Sequence, residues 1–300
     1  MTTSSVPAVA STRSSAALVL EAMRPRQWIK NAFCLGGVIF SGNALDGGAE
    51  WRAWTVAAAF SLASGAAYLV NDVIDARADR LNPRTAGRPI ARGELPARTA
   101  LYAALPVAAL AAGATALVNW QTLLTLCGFL VLHLAYSLRL KHLLFVDVMT
   151  ISGGFVLRAY AGLVAIDVEK SPWLLLCTGL IAMFLGLAKR RGELVAVGGN
   201  VHPQRPVLEG YSVALVDELI AVVTSSTVVA YSLFAVLGAD SDTMLLTVPF
   251  VVYGIFRVLL LLQHRAVVPE DPTVAVWQDR PLLVCVALWA VCAGIIAAAS

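Results

Sequence analysis

The residues best suited to chemistry form one short acidic segment, which starts at Asn71 and ends at Asp79. Asp72, Asp75 and Asp79 are three and four positions apart, so on a helix they lie on one face. Carboxylates crowded in this way repel one another, and their hard oxygens suit Mg²⁺, which commonly bridges carboxylates to a substrate phosphate. We therefore expect Asp72, Asp75 and Asp79 to bind Mg²⁺ as the cofactor and, with Asn71, to form the catalytic group.

An arginine-rich loop follows the acidic segment. Arg84 and Arg88 offer planar donor forks that match phosphate oxygens, and the prolines and glycines around them predict an ordered loop instead of a helix. We expect both arginines to bind phosphate. Two simpler interpretations stay open. The acidic segment could be a solvated helix end paired with nearby arginines, and the loop could contact anionic lipid headgroups.

Further polar residues recur at the ends of apolar segments. One such group alone is typical of an interfacial anchor, because Lys and Arg side chains routinely extend to the membrane surface. Several groups beside one acidic cluster predict a cavity for a multiply charged anion. The substrate-binding candidates of this kind are Gln27, Lys30, Tyr136, Lys141, Lys189, Arg190 and Glu193.

Two ionisable residues lie within a single apolar segment, 143–166. Asp147 is near the start of this segment and is expected to join the site, while Arg158 is a second substrate-binding candidate deeper inside. For Arg158 a structural role as a hydrogen-bond donor is equally open, and the same ambiguity holds for Arg257 in a later segment.

Composition shows which elements must position these residues. Of the 300 residues, 59% are apolar and 14% are charged, whereas soluble chains carry roughly a quarter charged residues. The net charge of +3 is too small to indicate a nucleic-acid partner. The five cysteines lie in apolar segments without ligand spacing, so a disulfide or metal framework is not expected. The sequence is that of an integral membrane protein.

Apolar segments that approach the length of about 20 residues needed to cross a bilayer recur along the chain. We predict an all-α polytopic membrane protein with nine transmembrane helices and polar loops on one side; the first span is short but follows a basic and aromatic flank. Residues 1–14 are expected to form a disordered tail, and residues 15–300 a single domain. The predicted spans are 31–44, 53–71, 98–118, 121–138, 143–166, 172–188, 213–238, 244–264 and 281–299.

The basic residues predict the orientation of these spans. Of the 22 lysines and arginines, 18 fall in alternate loops, which include the long loops 72–97, 189–212 and 265–280. The positive-inside rule then assigns the N-terminus and the long loops to the cytoplasm. We expect an integral membrane protein whose active site faces the cytoplasm.

The acidic segment and its loop also resemble a known family. The pattern NDxxDxxxD at 71–79, followed by DRxNPRTxxRPxxxG at 79–93, is similar to that of the UbiA-type prenyltransferase superfamily. The resemblance extends over almost the whole chain. It implies a UbiA-type bundle of nine helices in which Mg²⁺ on aspartates holds a diphosphate while a lipid chain lies among the helices.

Other segments are more similar to one branch of that superfamily, the decaprenyl-phosphate phosphoribosyltransferases. These segments include MRPRQWIKN at 23–31, YSLRLKHLLFVD at 136–147 and AKRRGEL at 188–194. Aromatic prenyltransferases of the superfamily carry a second acidic DxxxD motif after the sixth span, where this sequence has Lys189-Arg190-Arg191-Gly192-Glu193. One acidic and one basic motif suit two separate phosphorylated substrates.

The resemblance implies Mg²⁺-dependent transfer of 5-phosphoribose from phosphoribosyl diphosphate to polyprenyl (decaprenyl) phosphate, with release of diphosphate, for cell-wall arabinan precursors. The expected partners are these two substrates and membrane lipid, and a homo-oligomer is left open. The alternative within the superfamily is an aromatic prenyltransferase of quinone or haem biosynthesis that uses a prenyl diphosphate. A transporter is disfavoured because the polar residues lie at the helix ends instead of at interruptions in mid-membrane.

Overall fold

A computed structural model of the protein describes residues 13–40, 47–168, 171–197, 206–239, 242–264 and 279–299. These residues are helical almost throughout and contain no β-strand. The α-helices are α1 (Ser15–Ala22), α2 (Gly36–Phe40), α3 (Gly47–Leu81), α4 (Ala97–Val118), α5 (Trp120–Leu138), α6 (Val146–Ala165), α7 (Pro172–Val197), α8 (Val213–Leu233), α9 (Val248–His264) and α10 (Arg280–Ala299). A π-helical turn, Phe234–Gly238, extends α8, and 3₁₀ helices cover Pro25–Leu35, Leu140–His142, Pro206–Gly210 and Asp242–Thr247.

The helices α3 to α10, counted with their short extensions, are each long and apolar enough to span a membrane. Because a helix satisfies its own backbone hydrogen bonds, it is one of the few structures that can cross a bilayer. Large apolar side chains such as Trp54, Leu105 and Leu117 point outward from the bundle, as is expected where lipid is the solvent. The predicted all-α membrane class is confirmed.

The predicted first span, 31–44, differs from the expectation of a regular helix. The chain there forms the 3₁₀ helix Pro25–Leu35 and then only the short helix α2, and residues 41–46 lie outside the described ranges. The described residues therefore contain eight regular spanning helices, not nine. The irregular segment packs closely on α6, where a side chain at Gly162 would overlap the backbone of Cys34.

The irregular segment nevertheless runs along the length of α3. Arg24, which precedes it, contacts Asp72 towards the end of α3, and the helix begins at Gly47. At 1.5 Å per residue, the two points are separated by about 37 Å along the helix axis. Arg24 and Gly47 therefore lie at opposite ends of α3, in agreement with the predicted order of crossings.

Helix α3 is central to the bundle and contacts α4, α5, α6 and the first 3₁₀ helix. Its middle is rich in alanine, which favours the helix and lets neighbouring backbones approach closely. Phe60 of α3 packs against Phe129 of α5 with ring centroids 5.1 Å apart. Below this core α3 continues to Leu81 and brings the acidic segment to one end of the bundle. We call that end, where α3, α5 and α7 end and α6 begins, the polar end.

The N-terminal part of the chain was expected to be a disordered tail up to residue 14. Residues 1–12 lie outside the described ranges. Ser14 is the N-cap of α1, where its hydroxyl accepts a hydrogen bond from the backbone N–H of Ala17 at 3.3 Å. The tail and the single-domain organisation of the rest remain predictions.

Candidate active site

Two of the three aspartates of α3 meet at a pair of arginines. Asp72 is only 1% exposed and contacts the guanidinium of Arg24. Arg88 Nη1 lies 3.3 Å from Asp72 Oδ1 and 2.7 Å from Asp79 Oδ2. The two aspartates are seven positions apart, two helical turns, and so lie on one face as predicted. The structure thus brings together Asp72, Asp79 and Arg88, and adds Arg24.

The loop that carries Arg88 is folded onto the end of α3. Thr85 Oγ1 donates to the carbonyl oxygen of Asp79 at 3.2 Å, and Arg80 Nε donates to that of Ala91 at 3.0 Å. Ile90 in the same loop is buried against the core that α1, α3 and α4 share. The expectation of an ordered loop is met. Arg84, by contrast, has an exposed position and does not join the cluster of carboxylates.

The remaining residues of the acidic segment turn towards α5. Lys141 Nζ lies 2.5 Å from Asp75 Oδ1. Ser137 Oγ donates to Asn71 Oδ1 at 2.9 Å. These contacts connect α3 to the end of α5 and to the 3₁₀ turn that follows it. Asn71, Asp75 and Lys141 were all predicted site residues, whereas Ser137 was not.

The predicted Mg²⁺ ligands Asp72, Asp75 and Asp79 are not gathered around one point in this structure, and their role as ligands remains a prediction. No three His, Cys, Asp or Glu side chains in the described ranges come close enough to surround one ion. The reason is that Asp75 pairs with Lys141, while Asp72 and Asp79 face the arginines. Mg²⁺ is commonly bound through only one or two carboxylates together with water and substrate phosphates. Oδ2 of Asp72 is buried and has no hydrogen-bond partner among the described residues, and such an oxygen fits a cation that the substrate brings.

A second polar cluster lies where α6 begins and α7 ends. Arg190, which is 1% exposed, donates from Nε to Asp147 Oδ2 at 2.7 Å and from Nη1 to Glu193 Oε2 at 2.5 Å. Tyr136 at the end of α5 interacts electrostatically with Arg190. The predicted site residues Asp147, Arg190 and Glu193 are therefore neighbours, and two carboxylates already balance the charge of the arginine.

Tyr211 belongs to this second cluster and was missed by the sequence interpretation. Its hydroxyl donates to Asp147 Oδ1 at 2.9 Å and accepts from the backbone N–H of Phe145 at 2.9 Å. Burial, together with the hydrogen bond to Asp147, raises the pKa of the Tyr211 phenol to about 12. The phenol therefore stays protonated and fixes the carboxylate. No spacing rule connects Tyr211 to Asp147, which is 64 positions earlier in the chain.

Arg158 lies inside the bundle, apart from both clusters. It donates to Asn31 Oδ1 at 2.7 Å, to the Gly154 carbonyl at 2.9 Å and to Ser64 Oγ at 3.2 Å. Its guanidinium also stacks on the ring of Phe129, 4.5 Å from the centroid. Of the two roles left open by the sequence, these contacts favour the structural one, because they join the first 3₁₀ helix to α3 and α6.

The other predicted site residues lie near these groups. Lys30 is close enough to His133 of α5 to act on it electrostatically, and Lys189 is half-buried near the end of α7. Gln27 lies one 3₁₀ turn after Arg24, and its Oε1 is buried without a hydrogen-bond partner in the part of the chain that the structure describes. Arg257 instead forms a bidentate ion pair with Asp279, in which Nε donates to Oδ1 at 3.0 Å and Nη2 donates to Oδ2 at 2.9 Å.

An open apolar groove of about 560 Å³ lies between α9 and α10, away from the two clusters. Phe250, Tyr253 and Leu288 line it, with Arg280 at the start of α10. None of the predicted site residues lines this groove. The chemistry is therefore better assigned to the polar end.

Comparisons with known proteins identify the family of this chain. The sequence profile of the UbiA prenyltransferase family matches residues 32–278. The decaprenyl-phosphate phosphoribosyltransferase of Mycolicibacterium smegmatis is 33% identical over 228 residues, 72% of this chain and 70% of that protein. The protein of the same name from Mycobacterium tuberculosis is 32% identical over 224 residues, 72% of this chain and 73% of its own.

The fold also has a close counterpart among solved structures. A UbiA homolog from Archaeoglobus fulgidus, bound to GPP and Mg²⁺, matches with a TM-score of 0.72 at 18% identity, over 93% of this chain and 99% of that one. At this identity the likeness shows the fold alone. Taken with the profile, which covers most of the sequence, it follows that this chain belongs to the UbiA prenyltransferase family.

Proposed function

We propose that this protein transfers 5-phosphoribose from phosphoribosyl diphosphate to a polyprenyl phosphate and releases diphosphate. The observation that carries the proposal is the carboxylate pair Asp72 and Asp79, held by Arg24 and Arg88 at the polar end of α3. Family membership alone leaves several reactions open. The relatives named decaprenyl-phosphate phosphoribosyltransferase, 32–33% identical, support this one.

The cluster around Asp72 suits a diphosphate with its metal ion. Two carboxylates and two guanidinium groups balance one another there. When the donor substrate binds, Arg24 and Arg88 can exchange the carboxylates for phosphate oxygens, which match their planar forks. The exchange keeps every charge paired, as a partly buried site requires.

The residues present fit Mg²⁺ as the cofactor. Asp72, with its unpartnered Oδ2, and Asp79 would hold the ion. When bound, Mg²⁺ would neutralise the charge on the departing diphosphate. Asp75 would act differently, since its contact with Lys141 fixes the segment after α5 against the end of α3. Lys141 is thereby positioned beside the reacting phosphates.

The reaction needs one bond to form and one to break. An oxygen of the lipid phosphate attacks the anomeric carbon of the ribose, and the bond from that carbon to the diphosphate oxygen breaks with its electron pair. A phosphate monoester is largely anionic at neutral pH, so no general base is required. The side chains of the site therefore contribute by orienting the two substrates and by neutralising their charge.

The second cluster would shape the site instead of binding phosphate through Arg190. Asp147 and Glu193 already occupy that guanidinium. Tyr136, which interacts electrostatically with Arg190, comes directly before Ser137, whose hydroxyl donates to Asn71. The two neighbouring residues thus connect the second cluster to the acidic segment. Lys189, at the end of α7, and Lys30 remain the candidates for the lipid phosphate and the 5-phosphate of the donor.

The setting of the proposed reaction follows from the distribution of charge. Basic residues concentrate on the loops of the polar end, which by the positive-inside rule faces the cytoplasm of a bacterial inner membrane. A phosphorylated sugar donor is available there, and a polyprenyl phosphate lies in the membrane. The product would be a lipid-linked phosphoribose that serves as a precursor of cell-wall arabinan.

A direct assay tests the proposal. The purified protein is incubated with Mg²⁺, labelled phosphoribosyl diphosphate and a polyprenyl phosphate, and the lipid fraction is examined for label. We expect labelled lipid and an equal amount of diphosphate, with both lost when EDTA removes the metal. An unlabelled lipid fraction, alongside consumption of farnesyl diphosphate with 4-hydroxybenzoate, would overturn the proposal in favour of an aromatic prenyltransferase.

A further inference from the structure

A buried oxygen near the site has no hydrogen-bond donor. Oε1 of Gln27 is buried without a partner among the residues that the structure describes. Buried polar atoms in folded proteins are almost always hydrogen-bonded, because leaving one unpaired costs free energy. Gln27 is therefore a candidate for a contact that forms only when a ligand brings the donor.

The 3₁₀ geometry directs Gln27 along the same face as a cationic residue. With three residues per turn, side chains three positions apart within Pro25–Leu35 are eclipsed, so Gln27 and Lys30 form one row. Arg24 precedes this helix as its N-cap, with left-handed backbone angles of φ 54° and ψ 65°. Gln27 thus lies between the arginine that contacts Asp72 and a lysine that acts on His133.

The row is fixed against α3 on both sides of Gln27. The backbone N–H of Gln27 donates to the Arg24 carbonyl at 2.8 Å, and the side chain of Arg24 reaches Asp72. Beyond Gln27, Asn31 donates to Ser61 of α3 at 3.0 Å. The position of Gln27 is therefore set by contacts other than its own side-chain oxygen.

We infer that Oε1 of Gln27 accepts a hydrogen bond from a ribose hydroxyl of the donor substrate, so that Gln27 selects a sugar diphosphate over a prenyl diphosphate. The inference rests on the proposed function. If Arg24 binds the diphosphate, the attached sugar is within reach of Gln27, whose backbone N–H donates to the Arg24 carbonyl. Ribose carries hydroxyl donors next to the anomeric carbon, whereas a prenyl chain would leave Oε1 unpaired.

The physical basis is that leaving a buried polar atom unpaired costs more free energy than a paired one contributes. A site that pairs with a substrate hydroxyl discriminates strongly against an analogue that lacks it, because its own polar atom is then left without a partner. An apolar side chain of similar length at position 27 would lose this discrimination. Gln27 would be a specificity residue, in contact with the substrate but not with the bonds that change.

The test combines a variant with altered substrates. Gln27→Met keeps the length of the side chain and removes the acceptor. The specificity constant kcat/KM is measured for phosphoribosyl diphosphate and for its 2-deoxy and 3-deoxy analogues, with the wild-type protein and with the variant. The matched control is Gln121→Met, at the start of α5 and therefore far from the polar end. It should leave kcat/KM for all three substrates unchanged.

We expect Gln27→Met to lower kcat/KM for the natural donor roughly 10-fold. With the wild-type protein, kcat/KM should fall by a similar factor when one of the two deoxy analogues replaces the natural donor. With Gln27→Met, kcat/KM should be nearly the same for that analogue and for the natural donor. The inference would be overturned if the effects of the variant and of the missing hydroxyl multiply for both analogues, or if the variant keeps the wild-type kcat/KM. If the wild-type protein transfers no ribose, the proposed function fails instead. Should Gln27→Met not fold, Gln27→Asn, which withdraws the acceptor by one carbon, enters the same comparison.

Discussion

Lys141 and Asp75 are 66 positions apart in the chain, yet their charged groups lie 2.5 Å from each other. Asp75 is on α3, and Lys141 is in the 3₁₀ turn after α5. The lysine side chain is only 11% exposed and that of the aspartate 25%. An ion pair so placed is less screened than one on the surface, and it connects the acidic segment to the segment 136–147 that reaches the second cluster.

The first prediction concerns this ion pair. Asp75→Asn and Lys141→Met should each lower kcat/KM for phosphoribosyl diphosphate about 10-fold, and the double variant should be no worse than either, because all three lose the same contact. Arg139→Met, an exposed neighbour, serves as control and should behave like the wild-type protein. Effects that multiply in the double variant would show that the two residues act independently, as they would if Asp75 were a metal ligand.

A second prediction separates the roles of Arg84 and Arg88 in the loop after α3. Arg88→Gln removes the guanidinium that holds both Asp72 and Asp79. We expect kcat/KM for phosphoribosyl diphosphate to fall at least 100-fold, the effect usual for a group that stabilises developing charge. Arg84→Gln changes an exposed residue outside the cluster and should have little effect. Steady-state kinetics at saturating polyprenyl phosphate measure both.

Two results would contradict this second prediction. An equal loss in the two variants would mean that the loop acts as a whole, or that it moves Arg84 onto the substrate. Full activity in Arg88→Gln would remove the arginine from the diphosphate site. The thermal midpoint of each variant in detergent distinguishes these outcomes from loss of fold.

The membrane class and one half of the acidic site could be predicted because each depends on local regularities. Span length and composition follow from the thickness of the bilayer. The seven-residue spacing of Asp72 and Asp79 follows from helical geometry, and the two do share a face in the structure. A pattern of this kind is readable wherever the helix that carries it is regular.

The remaining features depend on contacts between distant segments and on one irregular helix. Sequence spacing gives no indication that Asp75 would turn to Lys141, or that Tyr211 would donate to Asp147. The 3₁₀ form of Pro25–Leu35 and its close approach to Gly162 of α6 were equally hidden. A periodicity of 3.6 residues per turn gives no indication that Gln27 and Lys30 lie on one face of this segment.

A third prediction concerns the ion pair between α9 and α10. Asp279 binds the guanidinium of Arg257 through both oxygens and also caps α10, accepting from the N–H of Leu282 at 3.0 Å. Asp279→Ala removes both roles, whereas Asp279→Asn keeps a capping acceptor and loses the charge. We expect the alanine variant to be less stable than the asparagine variant by about 1 kcal/mol.

Thermal unfolding in detergent measures this difference, and the assay of ribose transfer provides the control. Both variants should keep the wild-type kcat at a temperature where they are folded, because Arg257 and Asp279 contact none of the predicted catalytic residues in the described ranges. Equal midpoints for the two variants would show that the cap contributes nothing. A lower kcat in the asparagine variant would connect the pair to the active site.

The last prediction is the pH dependence of the Tyr211 hydrogen bonds. Tyr211→Phe leaves the buried carboxylate of Asp147 without one donor, and we expect a loss of about 1.5–3 kcal/mol at neutral pH, as is typical of a hydrogen bond to a charged group. In the folded state the pKa of the phenol is raised to about 12, above the value near 10 of a free tyrosine. The contribution of the protonated phenol to stability is therefore complete below pH ~10 and is lost as the pH rises towards 12. The difference in unfolding midpoint between the wild-type protein and the variant should therefore be constant from neutral pH to about 9 and shrink above about 10.

Tyr102→Phe, at a residue that is 74% exposed, should show no difference at any pH. Because Phe keeps the ring, a penalty for Tyr211→Phe that persists undiminished at high pH would mean that the hydrogen bond accepted from the N–H of Phe145, and not the proton donated to Asp147, accounts for the stabilisation.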